Sequence, residues 1–78
     1  MTWNHRVLAH VSEYETYFFI HEVYYENGIP CSYTKDPVSV GGESLQELKT
    51  TLNWMKKCLD KPVLWEGERF PQEYVAGA

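Results

Sequence analysis

The sequence predicts a small α+β domain. It has two layers: a three- or four-stranded antiparallel sheet with one helix on one face, in the order β-β-β-α-β. Three observations predict it. The first 25 residues hold two runs that alternate, or that are dense in aromatic and β-branched residues. Asn27-Gly28 follows them as a hairpin signal, because this pair suits the positive φ angles of a tight turn. Ser44, with Glu47 three residues on, forms a capping box in which each side chain can satisfy an orphan backbone N–H of the other residue. An antiparallel sheet carrying one helix is the natural two-layer solution for this order.

Each element has its own signal. Residues 3–11 alternate: Trp3, His5, Val7, Ala9 and Val11 share one face, and Asn4, Arg6, Leu8 and His10 the other. Residues 12–15 read as a turn. Residues 16–25 are the most strand-prone run, with Tyr17, Phe19, His21, Val23 and Tyr25 on one face and Phe18, Ile20, Glu22 and Tyr24 on the other. Both faces are apolar, which predicts a central strand covered in part on both sides. The His21 face is the expected core side, since a neutral imidazole is cheaper to bury than the Glu22 carboxylate.

Residues 29–34 read as a third strand that opens at Pro30, where a missing N–H does least harm. Asp36-Pro37 breaks it, and Val38 and Val40 form a short extended run. The helix is expected over residues 45–59. Leu45, Leu48, Leu52, Met55 and Leu59 recur at three- and four-residue spacing and make one apolar stripe. Leu48, Leu52 and Met55 are the expected buried row, beneath Val7 and Val23. Acidic Glu43 and Glu47 near its start, and Lys56, Lys57 and Lys61 near its end, complement the macrodipole. Pro62 stops the helix, and residues 63–65 read as a short last strand. The domain is thus expected over residues 1–66, with an irregular tail over 67–78.

Composition bounds the function. The chain has 78 residues and a formal charge of −4. An acidic balance disfavours non-specific nucleic-acid binding, which relies on Lys and Arg at phosphates. No stretch approaches the roughly 20 apolar residues of a membrane helix. No apolar run follows a basic start, so no secretory leader is expected. Cys31 and Cys58 share no Cys-x-x-Cys pattern, and free thiols in a reducing cytoplasm are the expectation.

No constellation points to catalysis, a metal or a cofactor. His21-Glu22 lacks the second histidine of a His-Glu-x-x-His motif, because Tyr25 stands in its place. His5 and His21 facing each other across the first hairpin would supply two ligands, where a catalytic zinc needs three and a structural one four. His5 or His10 beside Glu22 reads as a cross-strand polar pair. Gly41-Gly42 before the helix lacks the Walker Lys-Ser/Thr and turns the chain. Neither cysteine stands at a helix N-terminus, where a thiol is activated.

The aromatic residues are the functional lead. Trp54 falls roughly opposite the leucine stripe, so the helix–sheet core does not bury it. One sheet face has no covering layer in a β-β-β-α order. Phe70, Pro71 and Tyr74 are expected to fold back over Trp54 and Cys58. The candidate interaction surface is Phe18, Ile20, Tyr24 and Trp54, with a homodimer or an unknown protein partner as its expected occupant.

Two resemblances add to this reading. Trp3-Asn4-x-Arg6-Val7, Ile20-His21-Glu22-Val23-Tyr24-Tyr25 and Lys61-Pro62-Val63-Leu64 resemble a group of small bacterial proteins without an established function. That likeness spans most of the chain and implies a small domain. The strand order with Gly42-Glu43-Ser44-Leu45-Gln46-Glu47-Leu48 is similar to the N-terminal domain of HicB-type antitoxins, which implies a toxin-like protein partner. The Pro-Gly-Cys-like turn of that family is missing before the helix. The expected function is a small cytoplasmic, non-catalytic protein-interaction module; the alternative is a HicB-like antitoxin or nucleic-acid-associated regulator.

Overall fold

Ser12 and Glu15 close the first turn, with the Ser12 N–H donating to the Glu15 carbonyl at 2.8 Å. Asn27 and Gly28 close the second at φ 53° and 77°, the left-handed pair that an Asn-Gly hairpin requires. These turns set the register of β1 (Thr2–Val11), β2 (Thr16–Glu26) and β3 (Ile29–Tyr33). The helix α1 (Leu45–Lys56) follows, then a 3-10 turn at Lys57–Asp60, β4 (Leu64–Trp65) and a second 3-10 turn at Gly67–Arg69. This computed structural model describes residues 1–76.

The four strands form one sheet in the order β3-β2-β1-β4. The fold is α+β, but the sheet is mixed and not antiparallel throughout. β1–β2 and β2–β3 are antiparallel, whereas β4 runs parallel to β1. The cause is the long connection containing α1. It carries the chain from the β3 edge to the far side of β1, and a crossover of this kind delivers a parallel strand.

Paired residues point to the same side, so the register sorts the faces. Arg6 opposes His21, Leu8 opposes Phe19 and Leu64, and Val23 opposes both Asn4 and Tyr33. This is the inner face. Its core is Leu8, Val23 and Leu64, with Tyr25, Tyr33 and Phe70 packed against it. His21 is also fully buried, so the His21 side is the core side, as expected. On the outer face Trp3 opposes Tyr24, His5 opposes Glu22, Val7 opposes Ile20, and Ala9 opposes Phe18 and Trp65. Val7 and Val23 therefore lie on opposite faces and do not share one contact beneath the helix.

The sheet curls around its inner face. The Gly67 N–H, just past β4, donates to the Tyr33 hydroxyl on β3 at 2.8 Å. The Tyr33 and Phe70 rings lie 4.7 Å apart. These elements belong to opposite edges of the sheet, so the curl brings the two edges together. The tail is tied in by Trp65 N–H to Gln72 O and Tyr74 N–H to Val63 O, at 2.9 and 2.8 Å. Phe70 and Tyr74 thus serve the sheet. They do not cover Trp54 and Cys58 as the sequence leads one to expect.

Ser44 caps α1, its hydroxyl accepting from the Glu47 N–H at 3.1 Å. Gly42 approaches the same end so closely that a Cβ there would lie 2.7 Å from the Leu48 nitrogen. The buried side of the helix differs from the leucine stripe. Met55 and Cys58 are buried and Leu48 and Thr51 partly so, while Leu52 is 52% exposed and Leu45 and Leu59 are more so. The inward row is turned toward Trp54 by roughly 60° at 3.6 residues per turn. The sheet draws the helix in through an aromatic contact that alternation of leucines does not encode.

Candidate functional site

The sequence-predicted surface residues fall on one side of the sheet. Phe18, Ile20 and Tyr24 project from the outer face of β2, and α1 delivers Trp54 to its far end. Trp54 lies edge-on to Trp3 and His5, with ring centroids 5.4 and 4.8 Å away. Trp3 and His5 are themselves edge-on at 5.3 Å. At the opposite end, Tyr74 lies edge-on to Phe18 at 5.7 Å and to Trp65 at 4.8 Å, and the Arg69 guanidinium stands 4.1 Å over the Trp65 ring. Cation and ring attract through the ring quadrupole.

Helix and tail each cover one end of the face and leave much of the rest open. Phe18 is 54% exposed, Trp54 51% and Trp3 43%. Tyr24 donates its hydroxyl to Glu22 at 2.9 Å, and this carboxylate pushes the Tyr24 pKa up. Glu22 is the acidic residue of the band. Sequence reasoning missed Trp3 as a member. Its place on the Val7 side of β1 was legible, and the hairpin register sets it opposite Tyr24.

Below Trp54 is a hollow of about 130 Å³, lined by Asn4, His5, Trp54, Lys57, Cys58 and Lys61. Arg6, next along β1, is 9% exposed. It donates to the Tyr25 hydroxyl at 2.8 Å and to the Pro62 carbonyl at 2.7 Å, and its Nε has no partner. Burial pushes the Cys58 thiol pKa up, and the nearby Arg6 charge acts in the opposite direction.

The inner face holds a second polar group. His10 and His21 meet Nε2 to Nε2 at 2.8 Å, their rings stacked. His21 Nδ1 lies 2.9 Å from the Thr34 carbonyl, which can only accept, so this nitrogen carries the proton. His21 Nε2 is then an acceptor, and His10 Nε2–H donates to it. His10 Nδ1 points toward Glu66 Oε1 at 4.0 Å. Burial lowers the His21 pKa, and the neighbouring His10 lowers it further against the Thr34 bond. The expected juxtaposition of His5 and His21 does not occur. They project from opposite faces, His5 opposite Glu22. Among the described residues no three metal-ligating side chains converge.

No family model, no curated protein and no solved structure matches the chain. Among the described residues no helix is long and apolar enough to cross a membrane. The geometry of the outer face therefore carries the functional reading.

Proposed function

We propose that this chain is a non-catalytic protein-interaction module that docks a polypeptide on its outer sheet face. One observation carries the reading: Trp3, Phe18 and Trp54 share that face, each about half exposed, in a band framed by the helix and the tail. Large aromatic residues are favoured anchors of protein interfaces, since they supply contact area with few rotatable bonds. Exposed aromatic rings gathered on one face of a small domain have a use or a cover. The chain's net charge of −4 favours a polypeptide over a nucleic-acid strand, for which stacking rings need a positively charged groove.

The test is a displayed random-peptide selection on the native chain, counter-selected on a Phe18→Ser/Trp54→Ser variant of unchanged circular dichroism. Peptides that bind the native chain and lose binding to the variant support the reading. Sedimentation of both proteins separates the second-copy case: a dimer that the variant dissolves makes the chain its own partner. Selection of no variant-sensitive peptide, with a monomer throughout, defeats the reading.

A further inference from the structure

We infer that the start of β2, residues 16–19, is a strand-addition site that takes one extended segment of the docked polypeptide. The inference rests on the reading of the outer face as a docking surface, since Phe18 belongs to both. It starts from a mismatch of length. β2 has eleven residues and β3 five, and β3 pairs with residues 23–26 of β2. The loop after β3 extends this cover. The Thr34 N–H donates to the Glu22 carbonyl at 3.0 Å, and the Val38 N–H to the Ile20 carbonyl at 2.9 Å. The cover ends there.

Parity shows what is left. The N–H and C=O of one strand residue point to the same side, and successive residues alternate. Ile20 and Glu22 direct theirs toward β3 and its loop, so Thr16 and Phe18 do too. Tyr17 and Phe19 turn theirs to His10 and Leu8 on β1. Among the described residues no backbone group pairs with Thr16 or Phe18 on the open side. The matching overhang of β1 is not open in this way, because Lys57 and Cys58 stand beside Asn4 and His5 there.

The side chains suit the same occupant. Tyr17, Phe18 and Phe19 are each about half exposed, with Phe18 on the outer face and the other two on the inner face. A strand laid along this edge sets its alternate side chains beside them, contacts that favour β-branched and aromatic residues. The edge is bounded by Val38 at one end and by the first turn at the other, so it admits about 13 Å of strand. Two copies paired symmetrically through four residues each fall well short of the roughly 800 Å² per partner of a stable interface. A separate polypeptide can turn from the edge onto the outer face at Phe18 and add that contact.

The experiment is a heteronuclear NMR titration of the full chain with an acetylated, amidated hexapeptide of alternating valine and threonine, and with the same peptide N-methylated throughout. The plain peptide should slow amide exchange at Phe18 at least about tenfold at saturation and leave Leu8 unchanged. Thr16→Pro deletes one donor of the open edge and none of the β1 ladder. It should weaken the plain peptide about fivefold, the factor expected of one backbone hydrogen bond, with unchanged circular dichroism. The N-methylated peptide cannot donate to the Thr16 and Phe18 carbonyls, and it tests the same edge without altering the chain. It should bind at least about tenfold more weakly than the plain one. Equal binding of the two peptides, no binding of the plain one at millimolar concentration, or binding that leaves the Phe18 amide unprotected overturns the inference. A native dimer that Thr16→Pro dissolves puts a second copy on the edge and overturns the choice of occupant. Peptide selection on the outer face reports separately: variant-sensitive peptides that leave the Phe18 amide unprotected would remove the strand-addition site and leave the docking surface standing.

Discussion

His10 and His21 touch through their Nε2 atoms at 2.8 Å although they are not cross-strand partners. His21 is opposite Arg6, and His10 lies four residues further along β1, roughly 13 Å on a flat strand. The curl of the sheet closes that gap. With His21 Nδ1–H given to Thr34 and its Nε2 to His10, the pair has one open nitrogen, His10 Nδ1, facing Glu66.

This arrangement makes stability depend on pH. The folded-state pKa of His21 is lowered by burial, so the unfolded chain binds its proton more readily. Stability from this group is full above the unfolded value near 6.5 and is lost as pH falls from there toward the folded value. Urea midpoints should decline from pH 7.5 to 5, and His21→Asn should flatten the curve. A native midpoint constant over that range would contradict the assignment.

The helix face is tested by two truncations. Met55→Ala should destabilise by roughly 2–5 kcal/mol, as for a buried core side chain. Leu52→Ala should cost less than about 1 kcal/mol, because its side chain is half in water. Denaturation of the two variants decides the matter, and the reverse ranking would restore the leucine stripe as the buried row.

Ser44→Ala removes the hydroxyl that accepts from Glu47 N–H. The expected loss is about 1 kcal/mol, and Ser44→Asp should recover most of it. Equal unfolding midpoints for native and alanine proteins would show that the cap contributes nothing.

The two thiols should differ in reactivity. Cys31 is exposed, whereas Cys58 is buried with its thiol pKa raised by desolvation. A chromogenic disulfide reagent should titrate one thiol quickly in the native chain and the second on unfolding. Two fast thiols would mean that the Lys57–Asp60 turn opens readily.

Tyr33→Phe deletes the acceptor of the Gly67 N–H while keeping the ring against Phe70. About 1 kcal/mol should be lost. Amide exchange at Gly67 should speed up more than at Leu8. Unchanged exchange at Gly67 would show that the closure does not depend on this bond.

Local chemistry in this chain was legible. Asn27-Gly28 and Ser44 each announce a backbone need that one residue type meets, and the structure uses both. The alternation in β1 and the burial choice at His21 follow from polarity alone. So does the common face of Phe18, Ile20 and Tyr24. What was not legible depends on curvature and on partners far along the chain. The direction of β4 follows from where the crossover lands. The turn of α1 toward Trp54 follows from rings on β1, which a helical wheel does not contain. Counting back from the Ser12–Glu15 turn would have set His5 opposite Glu22, but no count yields the approach of His10 to His21, which needs the curl.

The bond between Tyr33 and Gly67 has a further effect. Strand edges invite other chains to add on, the route to fibres. Here one edge is a five-residue strand containing Pro30, which lacks a donor, and it is pinned at its last residue. The other edge is bridged by the returning tail at Leu64 and Glu73. The two outermost strands, so shortened and tied, give strand addition little to begin from. A domain with many half-open aromatic rings thus presents them broadside while its two outermost strands are kept from offering a long free edge to polymerisation.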